Sequence, residues 1–215
     1  MAAPKVHETG GGDFKLVEPG TYPAVCTWIV GIGPQPTPWG AKEKIKLRFE
    51  IPSERIEYEK DGQRLEGPAV MWATYTASLS KKAILRADLE AWRGKPFTDD
   101  ELRGFDLNKV LGAPCMLSVV HRKADNGRVY DEIASIGRLT KGIPVPEPEG
   151  ELIGFDIRDH TAAEYEALPE WCQRKVDDGL AEIKAQEELA AAQAEALAGQ
   201  RADERSAFTD DDIPF

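Results

Sequence analysis

No apolar run in this 215-residue chain approaches the roughly 18 residues needed to cross a bilayer as a helix, so no helical membrane span is expected. Residues 1 to 13 lack the apolar segment of a secretory leader, which predicts a cytoplasmic protein. Cysteine is scarce: Cys26, Cys115 and Cys172 are odd in number, far apart and free of any Cys-x-x-Cys spacing. They predict packed, reduced thiols rather than a disulfide framework or a zinc site. The three histidines, His7, His121 and His160, show no paired ligand spacing. No Walker sequence or nucleophile elbow is present, and Gly31-Ile32-Gly33-Pro34 is no dinucleotide loop, because Pro34 removes an amide that a phosphate cradle needs. Asp99-Asp100-Glu101 resembles metal carboxylates, but a helix-capping role explains it fully. These absences predict no cofactor, no metal, no catalytic residues and no enzyme.

Charge is abundant and unevenly placed. The chain carries a net charge of −11, yet residues 1 to 143 sum to +2 and residues 144 to 215 to −13. An acidic total therefore does not exclude nucleic acid, provided that cations cluster in the first part.

The 41% hydrophobic content supports one core of ordinary size, and the order of elements is readable. Residues 1 to 13 are Gly-rich and read as a flexible arm. Thr21 to Gly33 is strand-like, and the proline-rich stretch Gly33 to Gly40 is expected to be a loop. Lys42 to Ile51 alternates cleanly, with Ile45, Leu47, Phe49 and Ile51 on one face and Lys44, Lys46 and Arg48 on the other. Pro52 to Pro68 is charged, with a turn-like Lys60-Asp61-Gly62, and fits a hairpin or an ordered loop; Ala69 to Ala77 is a third strand. Ser80 is the expected N-cap of a helix over Lys81 to Trp92, with Leu85, Leu89 and Trp92 on its apolar stripe and Gly94 as its stop. Thr98 to Glu101 forms a capping box for a short second helix. Pro114 to Arg122 and Arg128 to Leu139 are two further strands about an Asn126-Gly127 hairpin signal.

Strand, strand, strand, helix, strand, strand is the order of the five-stranded OB-fold, a Greek-key barrel, although an α+β sandwich shares it. The predicted organisation is a mainly β barrel over residues 14 to 142 and a stiff Pro-rich linker over 143 to 150. A mainly helical extension follows over 151 to 199, then a disordered acidic tail over 200 to 215. Within the extension, Phe155 to Ile157 fits a short strand, Pro169 opens a helix, and Leu180 to Gly199 is a helix whose apolar stripe is too thin to define a coiled coil. Self-association is thus left open.

The basic face of the second strand is the strongest feature of the body. Lys42, Lys44, Lys46 and Arg48 recur every second residue, at about 6.6–6.8 Å per pair of residues, close to the phosphate repeat of an extended nucleic-acid strand. Alternating lysine also protects exposed sheet edges, so an ordinary solvated face is the competing reading. Trp39 on the proline loop, and Trp72 and Tyr75 on the third strand, are candidate base-stacking rings, although either strand residue equally suits a core. Trp28 and Trp92 read as core. Arg122, Lys123 and Arg128 flank the last hairpin turn and are expected to converge on the same face; Tyr130 suits that face or the core.

The chain ends in Asp210-Asp211-Asp212-Ile213-Pro214-Phe215, preceded by Ala207-Phe208-Thr209. Phe215 joins a ring to a free carboxylate, the chemistry that an apolar pocket rimmed by Arg or Lys would hold. This tip resembles the acidic tip of bacterial-type single-stranded DNA-binding proteins. The body resembles the OB-fold single-stranded DNA-binding proteins of tailed bacteriophages through several segments. These are Glu18-Pro19-Gly20-Thr21-Tyr22, the Lys42 to Glu50 strand, Thr76-Ala77-Ser78-Leu79-Ser80, Leu89-Glu90-Ala91-Trp92-Arg93-Gly94 and Leu111-Gly112-Ala113-Pro114-Cys115. The resemblance implies sequence-independent binding of single-stranded DNA in phage replication, recombination or repair, in the bacterial host cytoplasm. It also implies recruitment of replication or repair proteins through the tip. A protein-binding adaptor docked through the tip, and a strand-annealing or nuclease factor, are the alternatives.

Overall fold

The computed structural model describes residues 15–60 and 63–207, with side chains described outside 59–60 and 201–207. The expected arm over 1–13, the turn at Asp61-Gly62 and the tip Asp210 to Phe215 lie outside the described residues. The chain is mainly β. Strands β1 (Gly20–Gln35), β2 (Lys42–Lys60), β3 (Gln63–Thr76), β4 (Pro114–Lys123) and β5 (Val129–Arg138) form an antiparallel sheet in the order β3-β2-β1-β4-β5. A sixth strand, β6 (Ile153–Asp156), pairs parallel with β1.

The long first strand is the organiser. One of its edges pairs with β4 over Gly20 to Val25, and Trp28 to Gly31 pair with β6; Val25 to Gln35 pair with β2. Shifts in register at Cys26/Trp28 and Gly31/Gly33, where Gly33 takes φ 69°, let the strand turn from one partner set to the next. The strand also runs two residues past Gly33, with Pro34 opposite Glu43, so the expected loop shrinks. Pro34 is tolerated because β6 has already ended opposite Gly31, and no further ladder on that edge needs its missing N–H.

The expected closed barrel is not what the ladders give. Among the described residues no ladder joins β3 to β5, and the sheet is open. Helix α1 (Ile84–Arg93) lies against both of these edge strands. Its stripe Leu85, Leu89 and Trp92 is buried with Phe49, Leu47, Met71, Leu117 and Ile136, and the Trp92 indole donates to the Pro114 carbonyl at 2.8 Å. Helix α1 begins one turn later than the Ser80 cap predicts. Ala83 stands at its N-cap without a side-chain bond, because Ser80 instead closes a turn through its carbonyl to the Ala83 amide. Gly94 ends it at φ 67°, and Thr98 and Glu101 form the capping box of α2 (Asp99–Arg103). A short 3-10 turn over Leu107–Val110 leads into β4.

The extension packs on the other face of the sheet. Helices α3 (Ala162–Glu166) and α4 (Glu170–Ala207) follow β6, and α4 is one helix that continues beyond Gly199. Val30 and Ile32 of β1 are buried with Phe155, Ile157, Leu168, Cys172 and Val176 in a second apolar cluster. Three polar fastenings join it. The buried Gln35 amide donates to the carbonyls of Ile32, Pro34 and Lys175. Glu50, only 1% exposed, accepts from Arg48 at 2.8 Å and from the amides of Glu149 and Gly150 at 2.9 and 3.3 Å. The Trp28 indole donates to the Glu151 carbonyl at 3.1 Å. The segment read as a linker is therefore bonded to the sheet.

Candidate nucleic-acid interface

Alternation along β2 places the expected cations on the outer face, away from the main core. Lys42 is exposed. Lys44 and Lys46 each reach across to the threonine opposite on β3, their ammonium groups donating to Thr76 and Thr74 hydroxyls at 2.9 Å. A threonine partner extends a lysine side chain without cancelling its charge. Arg48 is different. Its guanidinium bonds to Thr27 at 2.9 Å and to the buried Glu50 carboxylate, so that its charge is compensated within the fold. Lys46 sits half-buried. Burial holds its ammonium below the ordinary lysine range, reinforced by nearby Lys175 and opposed by Cys172.

The aromatic rings sort into three groups. Trp39 is 85% exposed on the loop after β1, where Thr37 bonds to the Trp39 amide and the loop closes from Thr37 to Gly40. Trp72 lies on the outer face between Trp28 and Trp171, edge-on to both, with ring centroids at 5.8 and 4.9 Å. Trp28, read as core, packs half-buried against the second apolar cluster rather than the main one, because the register shift at Cys26/Trp28 turns it to the outer face. Tyr75 leaves the stacking set. It is 7% exposed on the inner face of β3, packed in the core with its hydroxyl donating to Asp88 at 2.8 Å.

Arg122, Lys123 and Arg128 are exposed about the β4–β5 turn, where Gly127 takes φ 84° and Asn126 accepts from the Arg128 amide. Arg122 pairs with Glu132 at 3.6 Å. The expected convergence with β2 does not occur along the ladders. Val119 of β4 lies opposite Gly20, whereas Lys42 lies opposite Gln35 at the other end of β1. Tyr130 pairs with Arg122 and is exposed rather than packed.

Sequence reasoning missed two features. The first is the gap between β3 and β5, a groove of about 590 Å³ lined by Lys44, Trp72, Thr74, Lys82, Ile84 and Glu132 among others. Lys81-Lys82 at the helix start was its available signal. The second is Trp171 of α4, whose ring lies 5.2 Å from the Lys46 ammonium. Its only sequence signal was a lone tryptophan after Pro169.

His121 and His160 are bonded to backbone carbonyls, of Val17 and Asp156. Among the described residues, no group of three or more His, Cys, Asp or Glu side chains is placed to hold a metal ion, and no helix is long and apolar enough to cross a membrane. No protein-family model matches the chain, and no curated protein matches it.

Proposed function

We propose that this protein is a non-enzymatic binder of single-stranded DNA. The more particular reading is a phage protein of OB type, acting in replication, recombination or repair within the bacterial cytoplasm. The strand order β3-β2-β1-β4-β5 with a helix between β3 and β4 supports the OB reading, with the barrel left open at β3 and β5. The observation that carries the function is the row Lys42, Lys44 and Lys46, in which threonines brace Lys44 and Lys46 and Lys44 opens beside Trp72 into the β3–β5 groove. Lysines spaced along a strand meet phosphates whatever the sequence, and the accessible part of the half-buried Trp72 ring can stack on any base.

Anisotropy with matched single- and double-stranded oligonucleotides across salt tests this. Tighter binding of the single strand is expected, weakening by a slope of about 0.7 per neutralised phosphate. Lys42→Glu with Lys44→Glu should abolish binding at 150 mM salt without unfolding the protein, since both side chains lie outside the cores. Equal affinity for single and double strands, or unchanged affinity of the double variant, would refute the reading. Arg48 is unsuited to such a test, because its reversal would leave Glu50 buried without its cation.

The tip Asp210 to Phe215 is proposed to recruit replication or repair proteins. The exposed, unpacked distal part of α4 favours a second reading, an adaptor in which that helix spaces the tip from the body. Removal of the tip should abolish capture of such partners and leave DNA affinity intact.

A further inference from the structure

We infer that the DNA-binding surface is composite, and that the first turns of α4 supply part of it through Trp171, Arg174 and Lys175. This rests on the proposed binding of single-stranded DNA and extends its site beyond the sheet. The three side chains and Lys46 line a surface groove of about 520 Å³, together with Asp177 and Asp178. Trp171 remains 37% exposed while its ring stands edge-on to Trp72, so the ring has both a fixed seat and a free surface. A base stacked there would lie beside the Lys46 ammonium and among the two cations of α4.

The acidic neighbours do not cancel this. Arg174 pairs with Glu170 and Lys175 with Asp178 at 3.0 and 2.9 Å, but all four side chains are about half exposed or more. Exposed pairs of this kind are weak enough for a phosphate to replace the carboxylate. Asp177 is engaged by the Tyr165 hydroxyl at 2.7 Å.

A helix lying over a cationic face is also the arrangement of a displaceable lid. The packing argues for a permanent element instead. Cys172 and Val176 are fully buried against β1, the Gln35 amide holds the Lys175 carbonyl, and Gly179 lies so close to the Ile32 carbonyl that a β-carbon there would stand 2.2 Å from it. Trp171 is therefore a pre-positioned platform, and its ordering cost is met on folding rather than on binding.

The test uses the full chain and a fluorescein-labelled oligothymidine, titrated by anisotropy between 50 and 300 mM salt. Arg174→Gln with Lys175→Gln should weaken binding about tenfold and reduce the salt slope by about 1.4, the value for two lost single-strand phosphate contacts. Trp171→Ala should cost at least about fivefold, the low end of a base–aromatic stack, and Trp171→Phe should restore most of it. If the Arg174/Lys175 variant keeps wild-type affinity and slope while Lys44→Glu weakens binding, the composite site is wrong and the DNA-binding face stands. If the wild-type chain binds no oligothymidine at 50 mM salt, the functional reading falls and this inference with it. The glutamine variant alters only exposed side chains, so an unchanged melting temperature assigns its effect to binding.

Discussion

Gly179→Ala places two strong local rules in opposition. In a helix interior the change gains about 1 kcal/mol of intrinsic propensity. At this position the new β-carbon would lie 2.2 Å from the Ile32 carbonyl oxygen and 2.9 Å from the Ile157 side chain. Ordinary contact begins near 3.4 Å, so α4 must move off β1 by about 1 Å, a gap that forfeits a quarter to a half of each dispersion contact across it. That movement loosens Val176 and Cys172 against Val30 and Ile32, and stretches the bond from Gln35 to Lys175, at present 2.9 Å. Overpacking at the top of its usual range, with the strained buried hydrogen bond, outweighs the propensity gain and leaves a loss of about 2–3 kcal/mol. For a domain of this size that lowers Tm by about 4–12 °C in a thermal melt followed by circular dichroism. Gly199→Ala is the internal control. It lies in the same helix with nothing within 4 Å of its β-carbon, and should raise helicity without lowering Tm. A Tm for Gly179→Ala equal to or above wild type would refute the close seating of α4 and the fixed platform that depends on it.

Two further outcomes follow from the core. Tyr75→Phe should cost about 1.5–3 kcal/mol in urea denaturation, because Asp88, whose carboxyl burial already pushes up, loses the phenol that bonds it; DNA affinity should not change, in contrast to Trp72→Ala. Burial raises the thiols of Cys172 and Cys26 to about 11 and about 12, and Cys115 also upward. The folded chain keeps these protons while an unfolded thiol loses them near pH 9. Stability is therefore full below about pH 9 and declines as pH rises through 11 and 12, so the urea midpoint should be lower at pH 10 than at pH 8. A midpoint that rises over that interval would contradict the buried placement of the thiols.

The parts of this fold that sequence made legible are those decided by local periodicity. Ile45, Leu47, Phe49 and Ile51 face inward because strand alternation allows nothing else once one of them is buried. Leu85, Leu89 and Trp92 share a helix face for the equivalent reason at helical spacing. The rest depended on contacts between distant residues. Nothing around Glu50 announces that its carboxylate will be buried under amides a hundred residues away, and Arg48 reads as a free cation until that partner is known. Which of the two clusters Trp28 joins is not legible, because a single register shift exchanges one face for the other and no local pattern marks it. The open edge between β3 and β5 is likewise invisible to strand order, which fixes sequence of elements but not closure. Of the candidate site, the β2 lysines were legible, while the share of α4 was not, since Trp171 meets Trp72 only when β6 has carried the chain back along β1.

The net charge of −11 poses the sharpest objection to a DNA-binding surface, and the geometry answers part of it. Where α4 meets the sheet it presents Trp171, Arg174 and Lys175 alongside Asp177 and Asp178, with cations and acids in near balance. Three further acids, Glu187, Glu188 and Glu195, lie farther along the same helix. At 1.5 Å of rise per residue, Glu187 stands about 24 Å beyond Trp171 and Glu195 about 36 Å beyond it. Both distances exceed the Debye length of about 8 Å at physiological ionic strength. The long helix therefore holds these three acids several screening lengths beyond Trp171, while the acids between Glu147 and Asp178 stay in the part of the chain that packs on the sheet. At such salt a phosphate approaching Lys44 experiences the local row rather than the molecular total. At about 0.01 M salt, where screening extends to some 30 Å, the same acids would reach the face and oppose it.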